Sequence, residues 1–269
     1  MSGPRMTRID LNCDLGESFG AWQMGEDAAL LDVVSSANLA CGFHAGDFMT
    51  MQQAVAAAME RGVAIGAHVS LPDLQGFGRR EMRVTPAEVH AMTLYQLGAL
   101  HGFARAAGGR LSHVKPHGAL YNMAARDRAL AEAFAAAVCQ FDSRLRLFGL
   151  GGSALVDAGA ALGLMVVAEA FADRRYRADG TLQPRGEAGA VIDDAELATA
   201  QALQIALAAA VTATDGSIIG MRADTLCLHG DGVHAVRLAR SLRSGLEAAG
   251  VRIAAPGEAS TTGPCLAWR

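Results

Sequence analysis

Short apolar runs alternate with Ala- and Leu-rich helical patterns along most of this 269-residue chain, and that rhythm limits the fold more than any other feature. Apolar runs separated by helical stretches read as βα units on a parallel sheet. Seven such pairs are present, with strands expected near 8 to 12, 37 to 41, 63 to 67, 111 to 115, 145 to 149, 164 to 169 and 224 to 229. Helices are expected near 49 to 61, 127 to 141, 153 to 162, 194 to 211 and 233 to 249. The clearest helix opens at Thr85-Pro-Ala-Glu88, where Thr85 caps, Pro86 takes the first helical position and Glu88 completes a capping box, and it ends near Gly108-Gly109. A chain of this length suits either two domains or one α/β barrel of ~250 residues. No Ser/Gly linker and no repeat of 20 to 50 residues divides it, which favours a single domain.

Two segments break the rhythm. Residues 70 to 84 form a loop too long to be idle in a compact chain, and residues 173 to 192 carry Asp179-Gly180, a turn signal for a small β-hairpin excursion beside the rim.

Composition excludes several classes of function. The chain is 51% hydrophobic with 19% charged residues, which supplies a core and leaves disorder no leading role. A net charge of -4 argues against binding nucleic acid, whose backbone asks for a basic excess. No apolar run approaches the ~18 residues of a membrane span, and the first ten residues have no hydrophobic signal core, so a cytoplasmic protein is expected. Five cysteines without a CxxC pair suggest reduced thiols.

Of 23 basic residues, 22 are Arg and one, Lys115, is Lys. A chain that keeps its only Lys inside His113-Val-Lys-Pro-His-Gly118 uses something a guanidinium cannot offer, because an ammonium is compact and tunable by burial. Other polar residues gather just after the apolar runs. The first run delivers Asn12, Asp14 and Glu17, the second Asn38, His44 and Asp47, and the third His68. The fourth gives Lys115 and His117, the sixth Glu169, Asp173 and Arg174, and the seventh His229 and Asp231. In a closed or nearly closed parallel barrel these positions converge on one face, where such folds keep their active sites. One His alone is ordinarily a hydrogen-bonded core residue. Four of eight at run ends, with carboxylates and the sole Lys, form a functional pattern.

That set suits general acid–base chemistry or a divalent metal that activates water, and hydrolysis at an electrophilic carbon fits both. Serine nucleophiles fit less well without a GxSxG elbow, and Cys13 and Cys41 read as small buried hydrophobes. No phosphate loop of the G-x-x-x-x-G-K-[ST] type exists. Gly149-Leu-Gly-Gly-Ser153 reads first as a tight turn and second as an anion site at a helix start. Arg79 and Arg80 in the long loop are better placed to clamp a carboxylate.

Seven ordered blocks resemble the LamB/YcsF family from about residue 8 to 250: Asp10-Leu-Asn-Cys-Asp-Leu-Gly-Glu-Ser-Phe-Gly20, Ser36-Ala-Asn-Leu-Ala-Cys-Gly-Phe-His-Ala-Gly-Asp47, Ile65-Gly-Ala-His68, Gly76-Phe-Gly-Arg-Arg80, His113-Val-Lys-Pro-His-Gly-Ala-Leu-Tyr-Asn122, Phe171-Ala-Asp-Arg-Arg-Tyr176 and His229-Gly-Asp231. The chain departs from the family pattern at Val69-Ser-Leu71 and in the turn Asp231-Gly-Val-His234. The resemblance implies a single-domain, seven-stranded parallel β/α barrel related to glycoside hydrolases and deacetylases. It further implies ATP-dependent opening of the 5-oxoproline lactam to glutamate, with companion 5-oxoprolinase subunits B and C and ATP used at the level of the complex. Under that reading Asp14 acts as general base, Lys115 or His117 stabilises negative charge, and Arg79 or Arg174 grips the substrate carboxylate. His44, Asp47, His68, His229 and Asp231 complete the expected catalytic set, and Asn12, Glu17, Asn38, Glu169 and Asp173 the substrate contacts. A homo-oligomer is compatible with all of this.

Two rivals stand beside it. A metal-dependent deacetylase of N-acetyl sugars would hold its divalent ion on Asp14, His68 and His117, although Leu15 stands where such enzymes often carry a second Asp. A non-catalytic ligand-binding scaffold subunit is the other, against which the density of ionisable groups argues.

Overall fold

A computed structural model describes residues 7 to 230, 232 and 234 to 257. Eight strands and eight helices carry the βα rhythm: β1 (Arg8–Leu15), α1 (Asp27–Leu31), β2 (Ser36–Ala40), α2 (Phe48–Glu60), β3 (Ala64–Val69), α3 (Pro86–Ala106), β4 (His113–Pro116), α4 (Gly118–Arg126), α5 (Arg128–Asp142), β5 (Arg146–Leu150), α6 (Ala154–Ala161), β6 (Met165–Phe171), α7 (Ala195–Ala208), β9 (Thr225–His229), α8 (Ala235–Ala248) and the two-residue β10 (Arg252–Ile253). A separate antiparallel ribbon pairs β7 (Ala210–Thr212) with β8 (Ile218–Gly220).

The strands run β1-β2-β3-β4-β5-β6-β9, all parallel, and β9 pairs back onto β1, so seven strands close a barrel. β10 adds to the start of β1 outside that ring. Closure follows from period-two alternation in the strands. On β1, Ile9, Leu11, Cys13 and Leu15 face the helices, while Asp10, Asn12 and Asp14 hydrogen-bond across the interior. The interior is polar where many barrels stack Val, Ile and Leu.

Helix starts behave as the sequence dictates. Thr85 accepts from the Glu88 amide and Glu88 accepts from the Thr85 amide, closing the capping box on α3. Small side chains let α5 pack closely, with Ala131, Ala133, Ala135 and Ala137 all fully buried. All seven expected strands and six helices appear within a few residues, β1 and β6 running further than expected.

Two features differ from the sequence reading. The helix expected over 194 to 211 stops at Ala208, because Ala209 turns left-handed (φ 49°) and leads into β7. The hairpin expected around Asp179-Gly180 is reduced to isolated antiparallel bridges, Tyr176 to Leu182 and Arg174 to Val191. Among the described residues, Cys13, Cys41 and Cys227 are free buried thiols, as expected.

Candidate active site

At the C-terminal ends of the strands lies a cavity of about 1240 Å³, lined by Asp14, His68, Lys115, His117 and His229 at its floor and by arginines at its mouth. The floor is built around Lys115, which is 2% exposed. Its ammonium lies 3.0 Å from Asp14 Oδ1, 2.9 Å from Glu169 Oε1, 3.0 Å from Cys227 Sγ and 3.4 Å from Asn12 Oδ1. Burial alone would pull its pKa down, but the surrounding Asp14, Cys227 and Glu169 raise it well above the usual range. Lys115 is therefore a fixed positive charge with its three protons committed.

Asp14 sits between β2, β3 and β4. Asn38 Nδ2 donates to its Oδ1 at 2.8 Å, and His68 Nε2 lies 3.2 Å from its Oδ2. Burial pushes this carboxyl upward, yet His68 and Lys115 together hold its pKa well below the ordinary range. Below it, Asn12 Nδ2 donates to Glu169 Oε1 and Thr225 Oγ1, and Asn38 Nδ2 also donates to Asn12 Oδ1. Asn12, Asn38 and Glu169 thus hold the Lys115–Asp14 pair in position.

A second group flanks Asp14. His117 Nδ1 lies 2.9 Å from His68 Nε2, and His44 stacks on His117 with centroids 3.8 Å apart and planes within 8°. Glu17 Oε1 is 3.3 Å from His44 Nε2 and 3.8 Å from His117 Nδ1. The ligand-capable atoms of Glu17, His44, His68 and His117 all lie within 4.8 Å of one another. Burial, then His68, holds the His44 pKa well below its ordinary value, and burial with His44 and His68 does the same to His117. Asp14, Cys227 and His229 form a further convergent group.

The third group lies across the cavity. Asp173 Oδ2 accepts from the His229 backbone amide at 3.1 Å and lies 2.7 Å from His229 Nδ1. Burial pushes Asp173 up, but His229 outweighs it and keeps its pKa low. A carboxylate on Nδ1 fixes the tautomer and leaves Nε2 as the acceptor.

The long loop covers the site. Phe77 (φ 53°) offers its carbonyl to His117 Nε2 at 2.8 Å, and the guanidinium of Arg79 lies over the Phe77 ring, 4.9 Å from its centroid. Arg80 instead pairs with Asp73. Arg174 donates to the carbonyls of Gln183 and Ala190, and its pKa is lowered to about 10 by burial and by the neighbouring Arg185. Gly151, Gly152 and Ser153 also line the cavity. Ser153 stands at the cap position of α6 without capping it, and its hydroxyl is buried without a hydrogen-bond partner.

The fold therefore brings together Asn12, Asp14, Glu17, Asn38, His44, His68, Lys115, His117, Glu169, Asp173 and His229, with Arg79 and Arg174 above them. Asp47 stands apart: its carboxylate caps α2 through the Met49 and Thr50 amides and also binds the Gly20 amide. Asp231 lies outside the described residues.

These positions come from every block of the sequence pattern, in register, on one barrel end. Residues 9 to 261 match the LamB/YcsF family. The chain belongs to that family. The 5-oxoprolinase A subunit of Methylococcus capsulatus is 60% identical over 249 residues, covering 93% of this chain and 96% of that protein. Its counterpart in Bacillus subtilis is 51% identical over 257 residues, covering 96% and 100%. The crystal structure of a lactam utilization protein from Thermus thermophilus superposes with a TM-score of 0.87 at 49% identity, over 92% of this chain and 99% of that one.

Within this LamB/YcsF barrel, three inward residues escaped the sequence reading. Cys227 contacts Lys115, Tyr121 lines the cavity with its hydroxyl buried near Glu169, and His113 reaches Asn38 Oδ1 at 2.8 Å while stacking on Phe148. Alternation would have found Cys227 and His113, since Thr225, Cys227 and His229 share one face of β9, and His113 and Lys115 one face of β4.

Proposed function

We propose that this protein is the A subunit of an ATP-driven 5-oxoprolinase, opening the lactam of 5-oxoproline to L-glutamate together with companion subunits B and C. The observation that carries the reading is the Asp173–His229 pair facing the same cavity as the Lys115-held Asp14, beneath a mouth rich in arginine.

Opening the lactam adds water across its C–N bond. The water oxygen joins the carbonyl carbon, one proton goes to a base, and the ring nitrogen leaves with a proton. Amide resonance makes the unactivated step slow, so transfer of the terminal phosphoryl group of ATP to the lactam oxygen, with ADP leaving, creates the better electrophile. Loss of the ring nitrogen after water attack then leaves an acyl phosphate, which a second water cleaves to glutamate and inorganic phosphate. His229 Nε2, freed by the hold of Asp173 on Nδ1, is the group suited to take the proton and later return it to nitrogen. Asp14 is a weak base because Lys115 and His68 stabilise its charge, and it serves to orient water and His68 through Oδ2. Lys115 sets the charge of Asp14 and has no proton free for a substrate oxygen. Stabilising the substrate carboxylate or a phosphoryl oxygen falls to Arg79 and Arg174, with the unpaired Ser153 hydroxyl nearby.

The test follows glutamate formation by the purified chain with and without the companion subunits and ATP. Turnover is expected only in the full mixture, and His229→Gln and Asp14→Asn should each reduce it at least ~100-fold. Full turnover by the isolated chain without ATP would move the reading to a self-sufficient hydrolase. Release of acetate from N-acetyl sugars would favour the deacetylase, which the histidine cluster makes the second reading. No turnover in any mixture would favour a scaffold subunit.

A further inference from the structure

The cluster of Glu17, His44, His68 and His117 has a surplus of acceptors. A carbonyl oxygen only accepts, so His117 Nε2, 2.8 Å from the Phe77 carbonyl, carries the ring proton and leaves Nδ1 as a lone pair. By the same argument His68 Nδ1, 3.2 Å from the Lys115 carbonyl, carries a proton and leaves Nε2 as a lone pair. Those two lone pairs face each other at 2.9 Å. Carboxylate oxygens surround them, Asp14 Oδ2 at 3.2 Å from His68 Nε2 and Glu17 Oε1 at 3.8 Å from His117 Nδ1. Facing ring nitrogens ringed by carboxylate oxygens call for positive charge between them, supplied either by a proton that His68 Nε2 shares with Asp14 or by a metal ion. Donation of the far ring N–H to a backbone carbonyl, made by both His68 and His117, is also how metal-binding histidines are oriented.

We propose that Glu17, His44, His68 and His117 bind one divalent transition-metal ion of the Zn²⁺ class. Three imidazole nitrogens and one carboxylate oxygen suit Zn²⁺ or a neighbouring first-row ion, whereas Mg²⁺ and Ca²⁺ favour oxygen ligands throughout. Around a tetrahedral ion with bonds of ~2.0 to 2.2 Å the ligand atoms stand ~3.4 Å apart, so the His68–His117 nitrogens at 2.9 Å open slightly, while separations near the 4.8 Å limit close by about an ångström through side-chain rotation. His44 is the weakest ligand, because its ring lies parallel to His117 and tilts to aim Nε2, and its Nδ1 has no hydrogen-bond partner. Asp14 stays an outer neighbour, held by Lys115 and Asn38. This set replaces Asp14 with Glu17 and His44 relative to the sequence expectation. The proposal rests on ligand geometry and not on the lactam-opening reading.

The experiment uses the full chain, stripped with chelator and titrated with Zn²⁺ by calorimetry and with Co²⁺ by visible absorption. One ion per chain is expected, with Co²⁺ giving the intense d–d bands of four- or five-coordination. His68→Ala and His117→Ala should each weaken binding by more than ~100-fold and His44→Ala by about tenfold, taking the loss of an outer-shell partner as the lower bound. His101→Ala, outside the cluster, should leave binding unchanged. Should a ligand variant fail to fold, the wild-type melting temperature still reports, because an ion held only by the native state raises it in step with concentration. No stoichiometric Zn²⁺, no shift in melting, or equal binding by folded His68→Ala and His117→Ala would overturn the site and leave a proton on His68 between the two rings.

Discussion

Lys115 shows how one side chain can be fixed by its neighbours rather than by its type. Two carboxylates, a thiol and an amide oxygen surround its ammonium, so the property that matters is a compact charge and not an accessible neutral form. Lys115→Arg brings a larger planar group into a filled space and should cost about 1 to 3 kcal/mol of stability, with glutamate formation by the assembled enzyme falling at least ~100-fold. Lys115→Met is harsher, because it leaves Asp14 and Glu169 without their cation, and should lower stability by about 3 to 5 kcal/mol. Urea unfolding of both variants measures this, and a Met variant as stable as wild type would show that the buried carboxylates do not depend on the ammonium. His113 supplies a pH signature. Burial, reinforced by Arg146 and Lys115, lowers its pKa from 6.5 to about 3. Its native state stays neutral while the unfolded chain takes up a proton, so its stabilising contribution is complete above pH ~6.5 and declines as the pH falls towards about 3. The slope is about 1.4 kcal/mol per pH unit. His113→Asn removes one proton from that dependence, and denaturant titrations at several pH values should show the shallower slope.

At the level of elements, the covering loop is set by tight backbone contacts. Gly78 has φ +64°, and an added Cβ would collide with the Ser70 hydroxyl and come within 2.8 Å of the His117 ring and 2.9 Å of His44. Gly78→Ala should therefore lift the 70 to 84 loop from the histidines and reduce turnover by tenfold or more, an order-of-magnitude expectation for misplaced catalytic groups. Melting curves should change far less, since the loop lies over the barrel end rather than in its core. Strand and helix positions were legible because each apolar run and each cap acts locally, as Thr85 and Glu88 do on α3. The β7–β8 ribbon was not, because Ala209, which ends α7, has no chemical signal for a left-handed turn. In the 173 to 192 excursion Asp179-Gly180 makes its turn and the backbone of Arg175 and Arg177 pairs with Gln183, Ala190 and Thr181, but each pairing stops at an isolated bridge rather than extending into strands.

For the whole molecule, closure is anchored at the end of the barrel away from the site. Asp10 accepts from Ser35, Ser36 and Thr225, tying β1 to the β2 entry and to β9. It lies four residues from Asp14, about 13 Å along the strand. Asp10→Ala leaves the Ser36 and Thr225 hydroxyls without their acceptor, Ser35 keeping the Leu11 carbonyl, and should cost about 1 to 3 kcal/mol, read as a lower melting temperature with unchanged activity per folded molecule. An equally stable variant would remove Asp10 from the account of closure. The chain by itself determined the βα order, the strand count, the main caps and which residues follow each strand, since these depend on patterns within a few residues. Tertiary structure alone decided their partners. Asp47 follows β2 as His44 does, yet it turns back to cap α2, while His44 turns inward over His117. Cys227 lay unnoticed in an apolar run until β9 closed against β1 and set it beside Lys115. The physical reason is that charge, burial and ligand geometry depend on distances between strands remote in sequence, and those distances exist only once the barrel closes.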